Sequence, residues 1–189
     1  MTFDAQCDLA AVVYGPDDDP DRLFIDFADD LSRSGCSPVG LIQVGRSCRS
    51  LDPSLGVVVL PGGHVVLLVG DLPSCATGCR LDVGRLSGVA KQLAGMIVEG
   101  SDLVIINRFG RMEAEGGGLA HLITRAIHAD IPVLIAVPEH RFSALVKFSD
   151  GMNVRLACRR EALERWWQSV AGQPAYRRSG ALTFCEIAK

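Results

Sequence analysis

The chain has 189 residues, of which 48% are hydrophobic and 6% aromatic, and its formal net charge is −3. This length suits one α/β domain with a sizeable core, and the acidic balance argues against nucleic acid or an anionic membrane surface as a partner. Because no apolar run approaches the ~18 residues of a spanning helix and the amino terminus lacks signal-peptide features, we expect a cytoplasmic protein without membrane insertion.

The first predicted elements are a strand and a helix. Leu9–Tyr14 is a short apolar run typical of a buried parallel strand. A helix then begins, with Asp19 as its N-cap, Pro20 at its first position and Gly35 just after its end.

The loop between this strand and helix is where a P-loop would lie. A P-loop needs glycines for backbone contact with phosphate, a Lys for the outer phosphates and a Ser or Thr for Mg²⁺. Here the loop has one glycine, no Lys and the three acids Asp17, Asp18 and Asp19. An acidic helix-capping turn is the favoured interpretation, and a metal-binding loop at these three residues is the alternative.

The next stretch predicts a second strand and a hairpin. Val39–Val44 is the strand, and Arg46 and Arg49 follow it, flanking Ser47 and Cys48. The two arginines either hold an oxyanion or belong to a solvated loop, and the sequence leaves both open. Two β-rich runs around Pro61–His64 predict a β-hairpin at residues 57–60 and 65–69.

The seven cysteines are odd in number and scattered, which favours buried free thiols. Cys75 and Cys79 are separated by three residues, and no second His or Cys pair completes a zinc set. Cys48, Cys75 and Cys79 are kept as alternative candidate metal ligands, in addition to Asp17, Asp18 and Asp19.

The fifth predicted strand indicates where the site lies. A helix spans the apolar periodicity between Asp82 and Gly100, and Leu103–Ile106 then reads as a buried strand. Open α/β sheets bind ligands at the carboxyl ends of their strands, so the polar segment directly after this strand, Asn107–Glu113, is the predicted site. Gly116, Gly117 and Gly118 lead into a helix over residues 119–127, whose first N–H groups are expected to face an anion.

The remaining elements complete the α/β pattern. The sequence predicts a buried strand over Ile131–Val137, a short helix over residues 142–148 and a last strand over Asn153–Ala157. A charged amphipathic helix covers Arg160–Val170, and its tryptophans are expected to pack on the sheet or on a partner subunit of a homo-oligomer. We expect a single domain with its core at residues 8–158 and a C-terminal helix and tail at residues 159–189.

Several blocks of sequence are similar to those of a known family. They are Gln43, Cys79–Asp82, Asp102–Glu113, Glu115–Leu119 and Ile131–Leu134. Together they resemble a bacterial family of unknown function whose members are often labelled molybdenum ABC transporter ATP-binding proteins or lie beside molybdenum genes. The resemblance covers residues 8–158 and implies that molybdate-transport or molybdenum-enzyme proteins are the partners of this protein.

More distantly, the order of elements resembles the kinase-like P-loop nucleoside triphosphatases. That resemblance implies a three-layer fold with a mostly parallel sheet, a hairpin insertion and a strand end that carries an acidic pair. Asn107 and Arg108 stand where the acidic pair would be, whereas Gly110, Arg111, Met112 and Glu113 keep the rest of the pattern. Both this departure and the altered first loop affect the groups that handle Mg²⁺ and phosphate.

Three functions follow from these observations. The first is a non-catalytic protein that binds a small anion, either an oxyanion such as molybdate or a nucleotide-like ligand, with Mg²⁺ only in the nucleotide case. The second is a divergent nucleoside triphosphatase or kinase in which Glu113 acts in catalysis, and the third is a structural or regulatory protein without a ligand. The candidate ligand-binding residues are Arg46, Arg49, Arg80, Asn107, Arg108, Arg111, Glu113, Gly116, Gly117 and Gly118.

Overall fold

The structure is a computed structural model that describes residues 8–44, 56–68, 83–97 and 100–171. The strands in these ranges are β1 (Leu9–Tyr14), β2 (Pro38–Val44), β3 (Gly56–Leu60), β4 (His64–Leu67), β5 (Leu103–Asn107), β6 (Val133–Pro138) and β7 (Val154–Ala157). The helices are α1 (Pro20–Arg33), α2 (Val83–Met96), α3 (Arg111–Ala114), α4 (Ala120–His128), α5 (Phe142–Phe148) and α6 (Arg160–Ala171).

The described strands form one mixed sheet in the order β4-β3-β2-β5-β6-β1-β7. The five strands from β2 to β7 in this order are parallel, and the hairpin β3–β4 is added antiparallel at one side. The sheet therefore confirms the predicted α/β class and the predicted hairpin. All five parallel strands end at one edge, called the carboxyl edge below, where Tyr14, Asn107 and Pro138 lie.

Helices cover both faces of the sheet, so the fold has three layers. Side chains of α1 and α6, among them Phe24, Phe27 and Trp166, are buried against one face. Side chains of α2, α4 and α5, among them Leu93, Leu122 and Leu145, are buried against the other. Trp166 is only 3% exposed, so the described chain itself provides the sheet surface on which this tryptophan was expected to pack.

The start of α1 forms as its sequence predicts. The Asp19 side chain accepts the N–H of Arg22 at 3.0 Å, and Pro20 follows as the first helical residue. Gly35 has a φ of 87°, which glycine adopts without the steric cost that a Cβ would impose. These local signals place the first turn of α1 at the carboxyl edge, directly after β1.

The central strands approach each other unusually closely at one glycine. A Cβ on Gly40 of β2 would lie 1.9 Å from the backbone oxygen of Ile105 in β5. Only glycine leaves room for this pairing, which sets the end of β5 beside β2. Among the described helices, none combines the length and the apolar character that a membrane crossing requires.

Candidate functional site

The end of β5 is tied to the first turn of α1 by a polar cluster. The Asn107 side-chain amide donates to Asp21 Oδ1 at 2.6 Å, and Arg108 Nη2 lies 3.1 Å from both Asp21 oxygens. Arg108 Nε also donates to the Asn107 side-chain oxygen at 3.3 Å. The peptide bond between Asn107 and Arg108 is cis. The last residue of β5 and the residue after it thus present their donors to one carboxylate that comes from α1.

Tyr14, the last residue of β1, lies against the same cluster. The guanidinium carbon of Arg108 is 5.5 Å from the centre of the Tyr14 ring, a cation–π distance. The Tyr14 hydroxyl is buried, and it has no hydrogen-bond partner among the described residues. Burial raises the pKa of Tyr14 above its usual value, an effect that the positive charge of Arg108 opposes and the negative charge of Asp21 reinforces.

Glu113 has a different environment from the one that the sequence predicts. Its side chain is turned inward, and the residue is only 7% exposed. One carboxylate oxygen accepts the N–H of Gly110 at 2.8 Å, and the other accepts the N–H of Leu119 at 3.0 Å. The carboxylate therefore holds the starts of α3 and α4 together, and both of its oxygens have partners within the protein.

The glycine segment before α4 also bonds mainly to its own chain. The N–H of Gly116 donates to the backbone oxygen of Glu113 at 3.1 Å, and that of Gly117 donates to the backbone oxygen of Met112 at 2.8 Å. Gly118 has a φ of 55°, which brings its α-carbon against the Glu113 carboxylate. The anion that this helix start was expected to face is thus supplied by the protein itself.

The β1–α1 loop repeats this arrangement. The N–H of Gly15 donates to Asp18 Oδ2 at 2.8 Å, and Asp19 caps α1. Donors that a phosphate would take in a P-loop are here bound to the chain's own carboxylates. In the described parts of the chain, no three His, Cys, Asp or Glu side chains are grouped so as to hold a metal ion. This applies to Asp17, Asp18 and Asp19 as well.

The other predicted site residues fall into two groups. Arg111 is exposed and pairs with Glu115 at 2.7 Å across one helical turn, on the outside of the protein. The remaining positions lie outside the described residues, and they are Arg46, Arg49, Arg80, Cys48, Cys75 and Cys79. The cluster at the end of β5 therefore contains Asn107 and Arg108 from the predicted set.

Sequence reasoning missed Asp21, the residue that organises this cluster. Asp21 precedes Asn107 by 86 positions, and an acid in the first turn of a helix is ordinarily explained by the helix dipole. Its position within the helical pattern gives no indication that it contacts residues at the end of β5. The feature of the sequence that could have pointed to Asp21 is the excess of acids around the start of α1, and helix capping was taken as the explanation for these acids.

A polar cavity of about 360 Å³ lies at the same edge, between the ends of β1 and β7. Asp18, Cys158 and Arg159 are among its lining residues. Burial raises the pKa of the Cys158 thiol to about 11, and the charges of Asp18, Asp19 and Asp21 add to this effect. The thiol is therefore protonated at neutral pH and is a poor nucleophile.

Comparison with known proteins agrees with the fold and with the resemblance seen in the sequence. The chain is 36% identical over 169 residues to a protein of Bradyrhizobium diazoefficiens named Molybdenum import ATP-binding protein ModC 2. That match covers 87% of this chain but only 18% of the relative's length.

A solution structure of a human cancer-related nucleoside triphosphatase has the same fold, with a TM-score of 0.58. The match covers 88% of this chain and 98% of that one, and at 17% identity it shows the fold alone. The sheet and its helices thus share the α/β fold of that nucleoside triphosphatase. A family model matches residues 9–166, and the chain belongs to that family, which is described as Protein of unknown function (DUF2478).

Proposed function

We propose that this protein binds a small oxyanion, or the phosphate group of a nucleotide-like ligand, at the carboxyl edge of the sheet and does not hydrolyse it. The observation that carries the proposal is the set of donors from Asn107 and Arg108, which converge on one carboxylate, that of the partly exposed Asp21 in the first turn of α1. A guanidinium and an amide placed side by side are well suited to oxyanions, because both donate charge-assisted or directed hydrogen bonds.

The absence of hydrolysis follows from the two helix starts that flank this edge. In the β1–α1 loop, Asp18 accepts the N–H of Gly15 and Asp19 accepts that of Arg22, so these donors are already bonded. Glu113 does the same between α3 and α4, where both of its oxygens accept backbone N–H groups. A carboxylate held in this way is poorly placed to orient a water molecule or a metal ion for phosphoryl transfer.

Further arginines extend the proposed site. Arg46 and Arg49 follow β2 by two and five residues in the sequence, and Arg80 precedes α2. We assign these three residues to ligand binding together with Arg108, since several guanidinium groups are needed to neutralise a dianion. Molybdate is the first oxyanion to test, because the relative from Bradyrhizobium is named as a molybdenum import protein.

Isothermal titration of the full chain with molybdate, tungstate, sulfate and phosphate tests the binding. Heat is expected with at least one of these anions, and Arg108→Gln is expected to weaken it at least tenfold, since one charged hydrogen bond is worth about 1.5–3 kcal/mol. Arg125→Gln is the matched control, because Arg125 is exposed in the last turn of α4. The control is expected to bind as the unaltered chain does.

Phosphate release from ATP and GTP with Mg²⁺ or Mn²⁺ tests the second half of the proposal. We expect no turnover above a blank. Turnover that disappears in Glu113→Gln would instead support the divergent triphosphatase. A chain that binds none of the anions and neither nucleotide would leave the structural or regulatory role, and the proposal would then be wrong.

A further inference from the structure

We infer that Asp21 determines which oxyanions the Arg108 and Asn107 donors accept. It favours an oxyanion that carries a proton, such as inorganic phosphate, over a fully deprotonated one, such as molybdate or sulfate. The inference rests on the proposed function, because it names the ligand class of the same site.

The position of the Asp21 carboxylate is the first step. It receives the Asn107 amide at 2.6 Å and Arg108 Nη2 at 3.1 Å, so it occupies the place that an oxyanion would take between these donors. The two charged side chains remain in reach of solvent, with 31% of Arg108 and 22% of Asp21 exposed. An incoming anion can therefore reach Arg108, but it arrives next to Asp21.

The Asp21 carboxylate can only accept hydrogen bonds, and this property decides which anions fit beside it. A carboxylate has acceptors only, and so does an oxyanion without a proton, which means that the two repel each other and share no hydrogen bond. An oxyanion with an O–H group can donate to Asp21 in a short charge-assisted bond while its other oxygens accept from Arg108. Inorganic phosphate keeps such a proton at neutral pH, whereas sulfate and molybdate do not.

Among the described residues, Arg108 is the cation that pairs with Asp21. Asp18 and Asp19 belong to the same loop and helix start, and the charges of all three acids add to burial in raising the pKa of Cys158. Asp19 also caps α1, so the helix N–H groups nearest to Asp21 are partly bonded already. An oxyanion without a proton would therefore be repelled by several negative charges at this edge. A ligand with an O–H group would instead find a hydrogen-bond acceptor in the Asp21 carboxylate.

Titration of the full chain with phosphate, sulfate and molybdate at one neutral pH tests the inference. The unaltered chain is expected to bind phosphate more tightly than either of the other two anions. Asp21→Asn keeps the shape of the side chain and its acceptor oxygen but removes the charge. We expect it to strengthen sulfate and molybdate binding about tenfold, the factor that about 1.4 kcal/mol of relieved repulsion represents, and phosphate binding less.

Asp26→Asn is the matched control, because Asp26 lies on the same helix, is 60% exposed and pairs with Arg22 at 3.8 Å. It is expected to leave all three affinities unchanged. Thermal unfolding shows whether each variant is folded, and the preference of the unaltered chain tests the inference without any variant.

The outcomes separate the inference from the function on which it rests. If the unaltered chain binds oxyanions but prefers molybdate or sulfate, or if Asp21→Asn leaves the ratio of affinities as it was, the inference is wrong and the proposed function stands. If neither the unaltered chain nor Asp21→Asn binds any of the three anions, the inference is wrong, and the proposed function is wrong as well if ATP and GTP also fail to bind.

Discussion

The carboxylate of Glu113 accepts the backbone N–H of Leu119 at 3.0 Å, at the point where α4 begins. The same carboxylate accepts the N–H of Gly110 at 2.8 Å, where α3 begins. A helix start with free N–H groups is an anion site, and here a buried side chain fills it from within. The Gly-rich segment of this chain is therefore a structural joint between two helices.

Replacing Glu113 by glutamine tests this joint. The amide group of glutamine has one acceptor oxygen, so either Gly110 or Leu119 would face an amide nitrogen and lose its partner. We expect Glu113→Gln to lower the free energy of unfolding by about 1–3 kcal/mol, the usual cost of an unpaired buried donor. Urea unfolding followed by circular dichroism measures the change.

Glu115→Gln is the control for this substitution. Glu115 lies on the same short segment, but it is 62% exposed and pairs with Arg111 on the surface. Loss of an exposed ion pair is expected to cost less than about 1 kcal/mol. Equal effects of the two glutamine variants would show that Glu113 has no special role in stability.

Much of the fold could be predicted because its signals are local. Asp19, Pro20 and Gly35 delimit α1 within a few residues of one another, and the hairpin around Gly62 and Gly63 is delimited by its own turn. Apolar runs of four to seven residues predicted four of the parallel strands, β1, β2, β5 and β6, since both faces of these strands are buried. Each of these features depends on neighbours in sequence, which the chain displays directly.

The site could be located but not assembled from the sequence. Asn107 and Arg108 follow a buried strand, so their place at the carboxyl edge was predictable. Their partner Asp21 comes from α1, which follows β1, and β1 lies two strands away from β5 because β6 is between them. Strand order is a long-range property, and one sequence gave no means to choose it. The inward turn of Glu113 depends instead on local partners, the N–H groups of Gly110 and Leu119, but Glu113 was predicted to face a ligand.

Substitution of Gly118 is expected to be costly, because its neighbour is the Glu113 carboxylate. A Cβ at this position would lie 2.1 Å from Glu113 Oε1, and the φ of 55° is unfavourable for any residue with a side chain. We expect Gly118→Ala to lower the free energy of unfolding by about 2–4 kcal/mol, through backbone strain and the displaced carboxylate. Denaturant unfolding measures it.

Gly116 offers a matched comparison, because its φ of 78° is also positive but no atom lies within 4 Å of an added Cβ. Gly116→Ala is expected to cost only the backbone strain, about 1–2 kcal/mol. A larger effect at Gly116 than at Gly118 would contradict the role assigned to the Glu113 carboxylate.

Cys158 is expected to react slowly with alkylating reagents. Its pKa is about 11, so at neutral pH it has about a hundredfold less thiolate than an ordinary thiol with a pKa of 9.0. Because the folded state favours the neutral thiol, this group's contribution to stability is complete below pH 9 and is lost as the pH rises through 11.

Iodoacetamide labelling with peptide-level mass spectrometry, as a function of pH, measures the thiolate fraction of Cys158. The same cysteine in the urea-unfolded chain is the reference. Asp18→Asn is expected to increase the labelling rate of the folded chain, since the Asp18 charge helps to raise the pKa. Equal rates in the folded and unfolded chains would show that the thiol is not protected in this way.

Arg160 joins α6 to α1, and the stability that it provides is expected to depend on pH. Its guanidinium pairs with Asp30 of α1, donates from Nε to Glu164 at 2.6 Å and lies over the Phe27 ring. Hydrogen bonding to Arg160 is the main cause that lowers the pKa of Asp30, with Arg33 contributing further. An acid with a lowered pKa stabilises the fold above its unfolded value, and this stability is lost as the pH falls through the folded value.

Arg160→Ala is therefore expected to lower the melting temperature at neutral pH and to lose part of that difference below about pH 4, where Asp30 becomes protonated in the unfolded chain. A constant remainder is expected, because the contact between Arg160 and Phe27 does not titrate. Arg165→Ala, at an exposed position of the same helix, is expected to leave the melting temperature nearly unchanged at every pH. A gap between Arg160→Ala and the unaltered chain that stays the same from neutral to acid pH would mean that packing, and not the ion pair with Asp30, holds α6 against α1.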